Sequence, residues 1–142
     1  MAQETHTDVQ VFKMNTDSKS SGKVIKTFSG TTTNNTATVI YAHPLGELAG
    51  VTMLVSTIGL KTDATEMIRA VVSSGFRRAA AGNVTEVSTD TAVASAEDSS
   101  GTPTVTLVAN TSNQTVDVTI TGETSKDINW LVAVEYVEID VL

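Results

Sequence analysis

The chain has 142 residues, which is long enough for one domain with a hydrophobic core, and 40% of its residues are hydrophobic. Its formal charge of −7 at pH 7 disfavours nucleic acid as a main partner. The absence of cysteine excludes disulfides and thiolate metal sites. No apolar run approaches the roughly 20 residues of a membrane-spanning helix, and the first residues lack the basic and apolar regions of a signal peptide. We therefore expect synthesis in a cytosol and no membrane partner.

Residues 1–30 are polar and rich in Ser, Thr and Lys, with a flexible centre at residues 16–22. Two short apolar stretches, residues 9–12 and 24–28, flank that centre. They bury too little apolar surface to offset the entropy of ordering them alone. We interpret residues 1–30 as an extended N-terminal arm that orders on an acidic neighbouring surface, and residues 31–142 as the domain.

Short apolar stretches bounded by turn residues predict strands through the middle of the chain. Residues 37–42 form the first, which Pro44 ends because proline lacks an N–H, and residues 50–58 form the second. Residues 65–81 are ambiguous, since Met67, Ile68 and Val71 have helical spacing. The β-branched residues and Gly75 favour a strand with a bulge near Gly75.

The C-terminal third alternates polar and apolar residues at the period of a β-strand. Residues 104–109 and 115–121 alternate around a turn at 110–113, which places Val116, Val118 and Ile120 on one face. Residues 128–139 are apolar on both faces, so this strand should lie centrally or be covered on both sides. The whole pattern predicts an all-β fold, an antiparallel β-sandwich or jelly roll with an extended N-terminal arm.

The sequence contains no pattern typical of an enzyme or of a metal or cofactor site. The two histidines, His6 and His43, lie far apart, and His43 is interpreted as an ordinary strand-end residue. The acidic residues at 135, 138 and 140 lack the spacing of a calcium loop, which favours a solvated face. We therefore expect no enzymatic activity, no cofactor and no metal site.

Trp130 and the paired arginines, Arg77 and Arg78, can each be interpreted in two ways. Trp130 lies in an apolar run, so it is interpreted as a core anchor in preference to a carbohydrate-stacking platform. Arg77 and Arg78 could protect an exposed edge strand from stray pairing, or could contact an acidic face of a neighbouring subunit. The sequence leaves both readings of the arginines open.

Two stretches resemble small virion proteins of tailed bacteriophages. Val118-Thr119-Ile120-Thr121-Gly122, a short loop, and then residues 128–139 (INWLVAVEYVEI) are similar to the C-terminal end of such proteins. Lys61-Thr62-Asp63 is similar to the basic-Thr-Asp loop that often follows an apolar strand in them. The resemblance extends from about residue 39 to residue 139. Ala64 departs from the pattern because it stands where a turn glycine would be expected.

The resemblance implies a small β-sandwich present in many copies on a virion that is assembled in the host cytoplasm. The leading expectation is a capsid decoration (cement) protein that adheres to the major capsid protein or another virion protein. A tail, fibre or baseplate component is the alternative, and a carbohydrate-binding module is the alternative from another class. The two apolar faces of the final strand need cover that other copies could supply, so we expect a homo-oligomer, most simply a homotrimer. The candidate interaction residues are Val9, Val11, Phe12, Val24, Ile25, Phe28, Arg77 and Arg78.

Overall fold

The computed structural model describes residues 9–11, 22–88, 91–97, 101 and 103–141. This part of the chain contains ten β-strands and no helix. The strands are β1 (Val9–Val11), β2 (Val24–Thr32), β3 (Ala37–Pro44), β4 (Ala49–Lys61), β5 (Met67–Arg78), β6 (Val84–Glu86), β7 (Thr91–Glu97), β8 (Thr104–Asn110), β9 (Thr115–Thr121) and β10 (Ile128–Asp140).

The strands form two antiparallel sheets that pack against each other, so the fold is a β-sandwich, as the alternation predicted. The larger sheet has seven strands in the order β1-β2-β10-β4-β5-β6, and β7 also pairs with β5. The smaller sheet has the order β3-β9-β8. No helix among the described residues is long and apolar enough to cross a membrane.

The final strand lies at the centre of the larger sheet, which confirms the prediction made from its two apolar faces. β10 pairs with β2 on one side and with β4 along its whole length on the other. Its inner face carries Ile128, Trp130, Val132 and Val134, all of which are buried. Its outer face remains partly exposed, because no second sheet covers that side within the described residues.

The core between the sheets consists mainly of aliphatic side chains, with Phe76 and Trp130 as its buried aromatic residues. On β9, Val116, Val118 and Ile120 all point into this core and are 0% exposed. Asp117 lies on the other face of β9, as predicted. Its carboxylate is nevertheless buried, because Asn110 Nδ2 donates to it at 2.9 Å and Thr115 Oγ1 at 2.6 Å.

The ambiguous stretch around residues 65–81 is a strand, β5, and the bulge lies elsewhere than predicted. The pairing of β5 with β4 runs without a register shift through Gly75. A shift occurs instead between Val71 and Val72, in the pairing with β7. Gly75 therefore lies in a regular part of the pairing with β4, and no bulge occurs there.

The loop between β4 and β5 is a tight turn around Ala64. Ala64 has a φ of 58°, in the left-handed region that glycine adopts most easily. Asp63 Oδ1 accepts hydrogen bonds from the N–H of Thr65 at 3.0 Å and from Thr65 Oγ1 at 2.6 Å. These two bonds lower the pKa of Asp63 to about 2. Ala64 thus adopts the left-handed conformation that glycine usually occupies in such a turn.

The boundary predicted at residue 30 falls inside a strand of the larger sheet. β2 pairs with β10 in an unbroken register from Val24 to Thr32, so these residues belong to the sandwich. Sequence analysis missed this because β2 has half-exposed polar residues between its apolar ones. β1 pairs with residues 24–26 of β2, and the rest of the predicted arm before Gly22 lies outside the described residues.

Candidate functional site

The outer face of the larger sheet carries a contiguous group of exposed apolar side chains. Leu131 of β10 lies opposite Ile58 of β4, and Leu60 of β4 lies opposite Met67 of β5. Their exposed fractions are 54% for Leu131, 44% for Ile58, 41% for Leu60 and 42% for Met67. We call these four residues the outer apolar patch. Large apolar side chains grouped in this way on a protein surface are typical of interaction sites.

Charged groups border the outer apolar patch without interrupting it. Arg69 lies opposite Ile58 on the next strand and is exposed. Further along β10, Glu135 forms an ion pair with Lys23, which precedes β2. The surface therefore combines an apolar centre with a polar border, the arrangement typical of protein–protein contacts.

A polar network joins the two sheets on the inner side. Lys26 Nζ of β2 donates to the Tyr41 hydroxyl of β3 at 3.0 Å, and the Tyr41 hydroxyl lies 2.9 Å from His43 Nδ1. His43 Nε2 in turn lies 2.6 Å from Glu138 Oε2 of β10. A carboxylate only accepts, so Nε2–H of His43 donates to Glu138. The direction of the Tyr41–His43 bond depends on the tautomer of the imidazole.

A β-bulge in β3 directs Tyr41 and His43 to the inner face, where the polar network forms. The pairing of β3 with β9 shifts between Val39 and Tyr41, so that Ile40 is an extra residue. Tyr41 and His43 consequently lie opposite Val118 and Val116, on the inner face, whereas Val39 before the bulge points outward. A regular strand would have turned Tyr41 and His43 to the solvent.

Burial and aromatic contacts fix the members of the network. Tyr41 stacks on Phe28 with ring centroids 5.0 Å apart, and His43 contacts Tyr136 at 4.4 Å. Burial raises the pKa of Tyr41 and also that of Tyr136, so both phenols stay protonated at neutral pH. His43 itself is only 4% exposed. The network therefore acts as a fixed cross-link between the sheets, and it sits where a reacting group would have little access.

A second polar cluster ties together two loops at one end of the sandwich. Lys126 Nζ donates to Glu66 Oε2 at 2.6 Å and also forms an ion pair with Glu123. Glu123, and to a lesser extent Glu66, raises the pKa of Lys126. Among the described residues, no group of three or more His, Asp or Glu side chains is arranged to hold a metal ion.

The described part of the predicted arm is built into the sandwich. Val24 is buried and Phe28 packs against the core, while Ile25 is half-buried on the outer face. Val9 and Val11 belong to β1, and Phe12 lies outside the described residues. These positions leave Val24 unavailable to an external partner, whereas Phe28 is half-buried.

Two of the four arm lysines already have partners within the sandwich. Lys23 pairs with Glu135 and Lys26 donates to Tyr41. Lys13 and Lys19 lie outside the described residues. An attraction of the arm to an acidic neighbouring surface therefore remains a prediction for Lys13 and Lys19.

The interpretation of Arg77 and Arg78 as guards of an exposed edge strand is wrong. At both residues β5 pairs with β4 on one side and with β6 on the other. Arg77 is exposed on the outer face. Arg78 instead holds loops in place, because its guanidinium donates to the carbonyl of Gly82 at 2.9 Å and to that of Leu45 at 3.2 Å.

Trp130 lies in the core and is 4% exposed. Its indole N–H donates to Thr32 Oγ1 at 2.8 Å. The indole face is thus unavailable for stacking on a sugar. The sequence signal that placed Trp130 inside was its position in an apolar run, whereas the polar network left no such signal in the sequence.

The chain matches no known family model, no curated protein and no solved structure.

Proposed function

We propose that the protein is a structural component of a bacteriophage virion, most simply a capsid decoration protein that adheres to the shell and to its own copies. The observation that carries the proposal is the outer apolar patch, which leaves four large apolar side chains between 41% and 54% exposed on one face of the larger sheet. Burying such a surface releases about 25 cal/mol per Å². The role is adhesive and needs no catalytic group.

The architecture suits a protein that acts in many copies. The polar network and the buried core hold the two sheets together, so little conformational entropy should be lost when the outer face docks. A contact that is weak in one copy becomes effective when many copies bind an ordered lattice. The resemblance of residues 118–139 to virion proteins supports the same role.

A tail, fibre or baseplate component would use the same fold and the same patch. The two roles differ in copy number, since decoration proteins cover the head in hundreds of copies and fibres are few. The carbohydrate-binding alternative loses its one candidate platform, because Trp130 is buried.

Imaging of the phage particles that carry this protein tests the proposal. Labelled protein should decorate the head at many regularly spaced positions. Label confined to the tail would favour the fibre or baseplate role, and unlabelled particles would contradict a virion role altogether.

Rebinding to particles that lack the protein tests the surface. Leu131→Lys should weaken binding by about 2 kcal/mol or more, which is roughly 30-fold. Val39→Lys is the matched control, because Val39 is 51% exposed but lies on the smaller sheet. If the two variants bind the particles equally well, the outer apolar patch takes no part in binding.

A further inference from the structure

The outer face of the larger sheet carries a second group of exposed apolar side chains, at the end opposite the outer apolar patch. Val137 and Ile139 of β10 lie on the same face as Leu131, because side chains alternate along a strand. Val141 follows β10, and its N–H donates to the carbonyl of Leu48 at 2.7 Å, so these two residues lie opposite each other. The four residues at this end are between 43% and 66% exposed.

Between β10 and β5, this end of the sheet has a shallow groove with a floor of small residues. Gly50 of β4 lies opposite Ile139, and Thr52 lies opposite Val137. On the next strand Gly75 lies opposite Thr52. A Cβ added at Gly50 or Gly75 would have its nearest neighbours 3.7 Å and 3.8 Å away, so a larger side chain would fit at either position. Glycine inside a strand weakens it, and it often marks a place where another backbone approaches closely.

The wall of this groove on the β5 side combines an apolar and a cationic side chain. The N–H of Val87 donates to the carbonyl of Gly75 at 2.8 Å, and Val87 Cγ2 lies 3.8 Å from the Cβ position there. Arg77 lies between Gly50 of β4 and Thr85 of β6 and is exposed. β10 forms the opposite wall, two strand spacings or about 10 Å away. We call this feature the glycine groove.

Arg77 is the one charged side chain of the glycine groove that forms no ion pair within the part of the chain that the structure describes. Lys23 and Glu135 pair with each other beside an adjoining cavity of about 210 Å³. Glu47, in the loop before β4, lies 3.6 Å from Arg78. The groove is therefore apolar and positively charged, although the chain as a whole has a formal charge of −7. Its complement is a surface that is apolar and acidic.

The conformation of Leu48 is an independent indication of a binding surface at this end of the sheet. Its φ is 59°, in the left-handed region where a leucine side chain is strained. Glycine would relieve the strain, and a polar residue would suit the exposure. Strained residues of this kind occur preferentially at functional sites, where binding compensates for their cost.

We propose that the glycine groove binds an extended segment of a partner protein in which apolar side chains alternate with carboxylates. The apolar side chains of that segment would contact Val87, Val137 and Ile139, and one carboxylate would accept hydrogen bonds from the Arg77 guanidinium. A symmetric contact between two copies of the groove would bring two Arg77 side chains together, which disfavours a second copy as the occupant. The net negative charge of the chain disfavours nucleic acid and anionic lipid. The proposal is independent of the virion role.

Fluorescence anisotropy with labelled peptides tests the chemistry of the partner in the full chain. The main probe alternates Glu and Leu, a second probe alternates Lys and Leu, and a third alternates Glu and Ser. The Glu/Leu peptide should bind measurably at concentrations up to about 1 mM and more tightly than either of the others. No binding of the Glu/Leu peptide in that range, or equal binding of the Glu/Ser peptide, would overturn the proposal.

Two charge-reversal variants on the same strand test the position. Arg77→Glu should weaken binding of the Glu/Leu peptide about tenfold or more and strengthen binding of the Lys/Leu peptide, because attraction becomes repulsion. Arg69→Glu makes the same change in net charge on the same face of β5. It lies eight residues away, or about 27 Å, beyond the Debye length of about 8 Å at physiological salt. Arg69→Glu should therefore change binding by no more than about twofold, and equal losses in the two variants would overturn the proposal.

Filling the groove without changing its charge provides a second readout. Gly75→Val should abolish binding of the Glu/Leu peptide, because its side chain occupies the floor of the groove. Gly30→Val is the matched control, since a Cβ there meets nothing within 4 Å and lies outside the groove. Thermal unfolding confirms that both variants are folded, and the charge reversal at Arg77 decides alone if Gly75→Val is not. Unchanged binding by folded Gly75→Val would overturn the proposal. A lower oligomer mass for this variant in light scattering would assign the groove to a second copy and would also overturn it.

Discussion

Trp130 has a glycine opposite it on each neighbouring strand, Gly59 on β4 and Gly30 on β2. The two glycines differ in what surrounds them. A Cβ added at Gly59 would lie 2.6 Å from the indole ring, whereas one added at Gly30 would meet nothing within 4 Å. The indole therefore rests on the backbone of β4, and only glycine leaves room for it there.

Gly59→Ala should destabilise the protein by about 1–3 kcal/mol, because the methyl group forces Trp130 out of its position. Urea unfolding measured through the single tryptophan gives the free energy of unfolding. Gly30→Ala is the matched control and should be neutral or slightly stabilising, since glycine costs strand entropy of roughly 0.5–1 kcal/mol. Equal losses in both variants would contradict the packing described for Trp130.

Thr57 carries a buried hydroxyl that has no partner among the described residues. Its side chain is on the inner face of β4 and 5% exposed, and Oγ1 forms no hydrogen bond with that part of the chain. Thr57→Val replaces the hydroxyl with a methyl group of similar size, so we expect about 1 kcal/mol of added stability. Thr52→Val, on the exposed face of the same strand, should change stability by less than about 0.5 kcal/mol. Loss of stability in Thr57→Val would mean that the hydroxyl has a partner, such as a buried water.

At the scale of the elements, the link between His43 of β3 and Glu138 of β10 joins the two sheets directly. We expect a double-mutant cycle with His43→Ala and Glu138→Ala to give a coupling free energy of about 1–3 kcal/mol, since the pair is largely buried. The Lys61–Asp63 pair at 3.3 Å is the control, and because it is exposed its coupling should be clearly smaller than that of the buried pair. A coupling free energy near zero for His43 and Glu138 would show that their contact does not help to hold the two sheets together.

β2 is a structural strand, so truncation within it should be far more damaging than truncation before it. A chain that starts at Gly30 loses residues 24–29, including buried Val24 and the core-packed Phe28, and we expect it not to unfold cooperatively. Loss of one large core side chain alone costs about 3–5 kcal/mol, a large share of a typical domain's stability. A chain that starts at Gly22 keeps β2 and should unfold cooperatively. Thermal unfolding followed by circular dichroism compares the two, and equal midpoints would restore the boundary at residue 30.

Strands with a regular side-chain pattern could be predicted from the sequence, and strands with an interrupted pattern could not. β9 alternates without interruption and β10 is apolar on both faces, so the faces of β9 and the central position of β10 could be read from the sequence. β2 carries Lys26 on its inner face, where its ammonium group donates a hydrogen bond to Tyr41. Because a polar residue interrupts the apolar face, the sequence pattern did not indicate that β2 belongs to the sandwich. The network around His43 could not be predicted, because it depends on the extra residue Ile40, which reverses the faces of Tyr41 and His43. Pairing irregularities of this kind are decided by contacts between distant strands.

At the scale of the whole molecule, the two sheets differ in their outer faces. The smaller sheet exposes single apolar residues such as Val39 and Val108, separated by polar neighbours. The larger sheet groups Leu131, Ile58 and their two neighbours into one patch. A sheet face with an apolar centre is a suitable surface for a second copy, and cyclic symmetry allows each copy to cover the next.

We expect the protein to form a homo-oligomer, most simply a trimer, and Leu131→Lys/Ile58→Lys to dissociate it. The two substituted residues lie directly opposite each other, so the variant would bury two unpaired charges at the centre of the interface. Val39→Lys/Val108→Lys makes the same change in net charge on the smaller sheet and should leave the oligomer intact, which separates the effect of position from that of charge. Light scattering coupled to size-exclusion chromatography gives the masses over a range of concentrations. A monomeric unmodified protein at tens of micromolar would contradict the oligomer, and an oligomer that survives in both variants would place the interface on a surface other than the outer apolar patch.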